Sequence, residues 1–136
     1  MRIERYAHGE RDFWQVMGPH FASARIHREL GIPMTSDESC TWFIALADGA
    51  VAGFAAVRVL KNNVTELKHA YVFESYRQQG VYTQLLHARI NFAREAGCTS
   101  CRATVAPALQ HHYAEAGFAE GRQQGRYTHF ELHLGA

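Results

Sequence analysis

Hydrophobic residues recur at two different spacings along this chain, and the spacing changes several times between its ends. Alternation with a period of two, or a short run rich in β-branched and aromatic residues, predicts a strand, whereas apolar residues three and four apart predict a helix. The predicted strands cover residues 2–6, 42–46, 51–60, 64–73, 101–105 and 127–134. The predicted helices are one or two within 11–30, a long one over 80–96 and a short one over 108–116.

Turn-forming residues separate these elements. We expect the helical region 11–30 to be interrupted near Gly18-Pro19, because proline has no N–H to continue a helix from inside. The segment Ala47-Asp48-Gly49-Ala50 predicts a hairpin turn, and Asn62-Asn63 predicts the next turn.

The helix over 80–96 is the strongest single element of the pattern. Its expected apolar stripe is Val81, Leu85, Ala88, Phe92 and Ala96, widened by Leu86, Ile90 and Ala93, and its polar side is His87, Arg94 and Glu95. Three consecutive antiparallel strands lead directly into it and one strand follows it directly, so the chain crosses over the sheet through this helix. Such a crossover predicts one parallel strand pair in an otherwise antiparallel sheet, and therefore a mixed α/β (α+β) fold.

Composition limits the class of protein. The chain has 136 residues, of which 47% are hydrophobic and 20% are charged, and this predicts a single compact domain over residues 1–136 rather than a disordered chain. The formal net charge is only +1, whereas a nucleic-acid-binding domain usually has a large basic excess. We therefore do not expect nucleic acid as a partner.

Three cysteines, with no signal peptide or membrane-length apolar segment, favour a reducing, cytoplasmic location. Cys98 and Cys101 form a C-x-x-C, but this segment follows a helix and enters a strand, so the helix dipole does not favour a reactive thiolate. No second ligand pair accompanies it, and His129 and His133 fall on the polar side of a half-buried strand. We expect no metal site.

The junction between the fourth predicted strand and the long helix is the most informative segment. The strand ends near Phe73, and Gln78-Gln79-Gly80 forms a corner that begins the helix. The first backbone N–H groups of a helix have no partner within it, and they lie at the positive end of the helix dipole. This segment therefore predicts a binding site for a phosphate or pyrophosphate.

Arg77-x-x-Gly80, placed after Tyr71-Val72 and before a helix, resembles motif A of the GNAT acyl-CoA-dependent N-acyltransferases. A second segment, Tyr113 followed by Gly117-Phe118, is similar to another part of that family, and the resemblance covers about residues 41–134. It implies a mixed, mostly antiparallel sheet of six to seven strands flanked by about four helices.

The resemblance also implies acetyl-CoA as the co-substrate. Its pyrophosphate would be held by Arg77, Gln78, Gln79, Gly80, Val81, Tyr82 and Thr83. Its pantetheine arm would pair with the backbone of Ala70, Tyr71 and Val72, which requires the strand beginning near Cys101 to diverge from this edge. Tyr82 departs from the family pattern, which has Gly or Ala there, so its ring either narrows the phosphate site or packs away from it. Ala106 stands where the family often has Asn.

For the reacting groups, the resemblance implies that the Tyr113 phenol donates a proton to the departing CoA thiolate. The acceptor amine must also lose a proton, and Glu66 and His69 are the candidate bases. Strand parity places Glu66, Lys68, Ala70 and Val72 on one face and Leu67, His69, Tyr71 and Phe73 on the other, so without a β-bulge only one candidate base faces the cleft. We expect Glu66 to be that base.

The function implied by the resemblance is N-acetyl transfer to an amine, directly within a ternary complex. The acceptor is a small molecule or a peptide, its identity is open, and many members of the family are homodimers. The alternative is a catalytically silent GNAT-like module that binds CoA or a protein, for which Tyr82 and Ala106 are the arguments.

Overall fold

A computed structural model describes residues 1–135 as one seven-stranded sheet with helices on both faces. The strands are β1 (Arg2–Ala7), β2 (Cys40–Ala47), β3 (Ala50–Val59), β4 (Val64–Val72), β5 (Ser100–Val105), β6 (Ala119–Gln124) and β7 (Tyr127–His133). The helices are α1 (Arg11–Phe21), α2 (Ala24–Leu30), α3 (Val81–Glu95) and α4 (Gln110–Glu115). Short 3-10 turns lie at Glu74–Tyr76 and Pro107–Leu109.

The sheet order is β1-β2-β3-β4-β5-β7-β6, and every neighbouring pair is antiparallel except β4 with β5. The parallel pair is joined through α3, which confirms the predicted crossover and the mixed α/β fold class. The hairpin between β2 and β3 turns through Asp48 and Gly49, both with positive φ, as the turn sequence indicated.

Each face of the sheet has its own hydrophobic core. On one face, α3 and α4 cover side chains such as Phe43, Leu67 and Val72. On the other face, α1 and α2 cover Trp42, Phe54 and their neighbours. Because adjacent residues of β2 alternate between the two cores, both faces of β2 and β3 are buried, and the centre of the sheet is rigidly held.

The predicted break at Gly18-Pro19 is wrong. Pro19 lies inside α1, and the chain breaks instead at Ala22 and Ser23, where the Ser23 hydroxyl accepts the Ile26 N–H at 3.2 Å and begins α2. The helix continues past the proline because Phe21 packs on the buried Trp42, with ring centroids 5.4 Å apart, and tertiary packing of this kind offsets a local penalty of about 3 kcal/mol.

The predicted strand parity of β4 is also wrong, because β4 contains a bulge. Phe54 pairs with Tyr71 and Ala56 pairs with Lys68, so two steps along β3 match three along β4. The extra residue lies at His69, whose φ is 48°. Past the bulge, Ala70 and Val72 lie on the α3 face, and Tyr71 lies on the face of α1 and α2.

Candidate active site

A cleft opens between β4 and β5. The two strands pair only at Val64–Ser100, Thr65–Cys101 and Glu66–Arg102, and beyond this point they diverge. The β5-facing edge of β4 is therefore free over the segment that contains Ala70, Tyr71 and Val72. This is the divergence that the family resemblance required, and it leaves backbone groups able to pair with an extended ligand.

The loop that follows β4 presents a row of free backbone donors. Gln78 and Gly80 have φ values of 63° and 82°, and Gly80 is the N-cap of α3, with no side chain capping the helix. The first helical bond joins the Gln84 N–H to the Gly80 carbonyl at 3.0 Å. Within residues 1–135, none of the intramolecular hydrogen bonds has the N–H of any of residues 78–83 as its donor.

Gly80 itself leaves the approach to these donors open. A Cβ added at Gly80 would meet no atom within 4 Å among the described residues beyond its chain neighbours, so the space beside Gly80 is open. Positive φ at two nearby residues and free N–H groups at a helix start form a concavity that suits an anion. The predicted phosphate site at Gln78, Gln79, Gly80, Val81, Tyr82 and Thr83 is therefore physically suited to a pyrophosphate.

Arg77 is held by the protein itself. Its Nε donates to the Val72 carbonyl at 2.9 Å, and its Nη2 donates to Glu29 Oε2 at 2.8 Å. The same Glu29 oxygen accepts the Tyr71 hydroxyl at 2.6 Å. Arg25 also donates to Glu29, through its Nε at 3.0 Å. Together, the hydrogen bonds from Tyr71, Arg25 and Arg77 lower the pKa of Glu29 to about 2. Arg77, which the resemblance placed on the pyrophosphate, therefore uses its guanidinium to fix the start of the predicted phosphate loop (residues 77–83) to the end of β4.

Tyr82 packs away from the phosphate loop. Its side chain is buried among the residues under α3, its ring stacks on His112 at 4.4 Å, and its hydroxyl lies 2.8 Å from that of Tyr113. Of the two orientations considered for this ring, the structure shows the packed one. The backbone N–H of Tyr82 remains at the helix start.

Tyr113 lies on α4 with its ring in the core. Only 3% of the residue is exposed, and its ring contacts Phe118 and Phe130 edge-on or tilted, at 5.2 and 5.9 Å. The only hydrogen bond of its hydroxyl within the described chain is the one to Tyr82. The structure therefore joins two predicted site residues, Tyr113 and Tyr82, through a single contact.

Glu66 and His69 lie on the same face of β4 because of the bulge. They line a cleft of about 910 Å³ together with residues of β5, β6 and β7, such as Arg102 and Thr104. Glu66 accepts a hydrogen bond from Arg58 at 2.9 Å, which orients its carboxylate. Both candidate bases therefore face one cleft, which strand parity excludes only for a strand without a bulge.

His69 is a neutral imidazole in this position. It is stacked on Trp42 with ring centroids 6.0 Å apart, and its Nε2 accepts the Thr35 N–H at 3.4 Å. Burial, with smaller contributions from Lys68 and His27, lowers the pKa of His69 to about 4. Its Nδ1 has no partner within residues 1–135.

Sequence reasoning missed two residues of the site, Glu29 and Arg89. Nothing in the local sequence connects Glu29 with Tyr71 and Arg77, which are more than forty residues away. For Arg89, the hydrophobic pattern of the sequence did contain a signal. Arg89 stands four residues after Leu85 and three after Leu86, on the apolar side of α3, and it is completely buried there.

The remaining sequence signals have structural explanations. The Thr65 hydroxyl donates to the buried Cys98 Sγ at 3.1 Å. Burial raises the pKa of the Cys101 thiol to about 11, so Cys101 is not an activated nucleophile. Residues 1–135 contain no group of three or more possible metal ligands. None of the helices within these residues has the length and hydrophobicity needed to cross a membrane.

The sequence and the fold both match known proteins. A family profile described as "Acetyltransferase (GNAT) family" matches residues 4–118 of the chain. No curated protein sequence gives a significant match.

Among solved structures, an acetyltransferase of the GNAT family from Staphylococcus aureus Mu50 superposes with a TM-score of 0.72 and 16% identity, over 98% of this chain and 99% of that one. A Bacillus subtilis acetyltransferase in complex with CoA gives 0.71 and 18%, over 98% of each chain. N-acetylglutamate synthase from Neisseria gonorrhoeae, complexed with coenzyme A and N-acetyl-glutamate, gives 0.71 and 19%, over 100% of this chain and 36% of that one. At these identities, the similarity establishes the fold.

Proposed function

This chain belongs to the GNAT acetyltransferase family, and from this membership and the geometry of its cleft we propose that it transfers an acetyl group from acetyl-CoA to an amine. The observation that carries the proposal is the row of free N–H groups over residues 78–83, beside the open edge of β4. CoA bound to the Bacillus subtilis and Neisseria gonorrhoeae structures supports the choice of co-substrate. Three buried free thiols support a reducing compartment such as the cytoplasm.

The bound thioester would supply the acyl group, and the protein's own residues would hold it and move protons. The N–H groups of residues 78–83 would bind the pyrophosphate, and Ala70, Tyr71 and Val72 would offer their backbone to the pantetheine arm. Glu66 would take the proton of the acceptor amine, and Tyr113 would give a proton to the leaving sulfur. Transfer would be direct, because the buried cysteines offer no nucleophile for an acyl-enzyme.

Calorimetric titration with acetyl-CoA tests the cofactor site. Wild type is expected to bind with micromolar affinity, and Gly80→Glu is expected to lose binding because its carboxylate repels the pyrophosphate. Gly49→Glu is a matched control, since Gly49 and Gly80 are exposed, both have a φ of 82°, and neither has an atom within 4 Å of an added Cβ. Both variants therefore carry the same backbone strain. No binding by wild type, or equal loss in both variants, would contradict the proposal.

Enzymatic transfer is tested by thiol release from acetyl-CoA with a panel of small amines and peptide amino termini. If Tyr113 is the general acid, Tyr113→Phe lowers kcat by about 100-fold and leaves the affinity for CoA unchanged. A fall in CoA affinity with kcat unchanged would contradict the catalytic role.

The choice of base is tested by Glu66→Gln and His69→Gln. We expect Glu66→Gln to lower kcat/KM by about 100-fold and His69→Gln to lower it much less, because burial stabilises the neutral His69 and makes it a weak base. The reverse order would assign proton removal to His69.

A catalytically silent CoA-binding module is the second candidate. The observation that favours it is the burial of Tyr113, whose hydroxyl already bonds to Tyr82. CoA binding by wild type without transfer to any amine of the panel would support the module.

A further inference from the structure

Three polar side chains form a buried cluster between α3 and α4: Tyr82, Arg89 and Tyr113. Their exposed fractions are 9%, 0% and 3%. Within residues 1–135, none of the ion pairs includes Arg89. Burying a guanidinium without a countercharge is strongly unfavourable. The groups that stabilise the buried charge of Arg89 must therefore be its neighbours in the cluster.

A hydrogen bond joins the two phenols of the cluster, and Arg89 acts on Tyr82 through its charge. Arg89 Nε donates to the Leu85 carbonyl at 3.2 Å, and its Nη2 has no partner among the described residues. Burial raises the pKa of Tyr82 well above its ordinary value, Tyr113 raises it further, and the nearby guanidinium of Arg89 opposes both effects. The Tyr82 and Tyr113 hydroxyls are 2.8 Å apart.

The donor and acceptor capacities of the three side chains indicate which hydroxyl donates its proton to which. A guanidinium can only donate, and Tyr82 stays protonated because burial disfavours its phenolate. Either hydroxyl of the pair can donate, and Tyr82 can therefore donate its own proton to the oxygen of Tyr113, while the charge of Arg89 acts on Tyr82 from within the same helix. The proton of Tyr113 is then left for another acceptor, and hydrogen bonds in such a chain strengthen one another.

We propose that Tyr82 and Arg89 are positioning residues for Tyr113, which hold its hydroxyl and stabilise the phenolate that forms when it gives up its proton. This inference rests on the proposed function of the site. In that step the O–H bond of Tyr113 breaks, an S–H bond forms on the leaving thiolate, and the electron pair stays on the Tyr113 oxygen. Tyr82 donates a hydrogen bond to that oxygen, Arg89 supplies the countercharge, and water returns the proton after the thiol leaves.

The sequence gives independent support. The pattern that the phosphate loop resembles has Gly or Ala at position 82, so the hydroxyl pair comes from this chain's own Tyr82. Other titratable groups around the cluster are His112, stacked on Tyr82 at 4.4 Å, and the Cys101 thiol, whose pKa is raised by burial and lowered by Arg89. Both residues lie on elements packed on α3 and face the cluster. The variants used in the test therefore keep His112 and Cys101 unchanged.

The kinetic test uses Tyr82→Phe, Tyr113→Phe and the double variant. Tyr82→Phe is expected to lower kcat by about tenfold, a part of the loss expected for removing a general acid, and to leave CoA affinity unchanged. The same change in the Tyr113→Phe background is expected to have no further effect, because both act through one hydroxyl. Tyr6→Phe is the control, because it removes a hydroxyl on the distant β1 whose only hydrogen bond within residues 1–135 is to Glu4. Equal losses with and without Tyr113 would overturn the proposal.

A second measurement does not need activity. Tyrosine Cζ signals in the NMR spectrum report each phenol's ionisation, and the two Phe variants assign Tyr82 and Tyr113. We expect Arg89→Met to shift the titration of Tyr82 to higher pH and Arg89→Lys to restore it in part, because only the charge is returned. An unchanged Tyr82 titration in Arg89→Met would overturn the inference even in an active enzyme. A shifted Tyr82 titration in a protein that acetylates no amine would contradict the proposed function and leave the charge coupling of the cluster established.

Discussion

At the scale of single residues, burial changes the acid–base properties of several side chains in this protein. His69 is the clearest case, since its ring is covered by Trp42 on one side and its Nε2 is committed to the Thr35 N–H. A neutral imidazole in this position needs no countercharge, whereas an imidazolium would have to be desolvated.

His69 therefore makes stability depend on pH. The folded-state pKa is about 4 and the ordinary value is 6.5, so between these values the unfolded chain binds a proton that the folded chain does not. Stability is then full above pH 6.5 and is lost as pH falls toward 4, by about 3 kcal/mol at most. When the free energy of unfolding is measured in urea across this pH range, it should depend less steeply on pH for His69→Gln than for wild type. Parallel slopes would show that His69 is not the group responsible.

At the scale of elements, the end of β4 beside the phosphate loop depends on Gly53 of β3. A Cβ added at Gly53 would lie 2.7 Å from the Tyr71 carbonyl oxygen and 3.3 Å from Val72 Cα, both of which are backbone atoms. The two strands cannot accommodate this contact without moving apart. The close approach of β3 to β4 thus fixes the edge proposed to hold the pantetheine arm.

Gly53→Ala is expected to destabilise the protein by about 1–3 kcal/mol and to weaken CoA binding. Gly9→Ala is the matched control, because an added Cβ there meets no atom within 4 Å, and its effect on stability should be within about 0.5 kcal/mol. Denaturant unfolding and calorimetry measure the two effects. A neutral Gly53→Ala would mean that β3 and β4 adjust more freely than their packing indicates.

At the scale of the whole molecule, the two cores meet across one continuous sheet, which predicts cooperative unfolding as a single domain. The cysteines allow a direct test, since Cys40 lies in the core under α1 and α2, whereas Cys98 and Cys101 lie in the core under α3. We expect all three buried thiols to react with a thiol reagent at one rate, equal to the rate of global unfolding. Faster labelling of Cys40 alone would show that the two layers open separately.

Much of the fold could be predicted because its signals are local. The period-two runs, the turn at Asp48-Gly49 and the long amphipathic helix each report on neighbours in the sequence, and all of them occur in the structure. The open corner at Gly80 follows from the same kind of information, since a glycine before a helix determines where free N–H groups must lie.

The sequence by itself determined the order of the elements other than β6, the crossover through α3 and the position of the loop between β4 and α3. Tertiary structure alone decided that Pro19 stays within a helix, that a bulge at His69 turns both candidate bases to one cleft, and that Tyr82 bonds to Tyr113 beside a buried Arg89. The physical reason is that periodicity and turn chemistry act over a few residues, whereas strand register and burial depend on contacts between segments far apart in the chain.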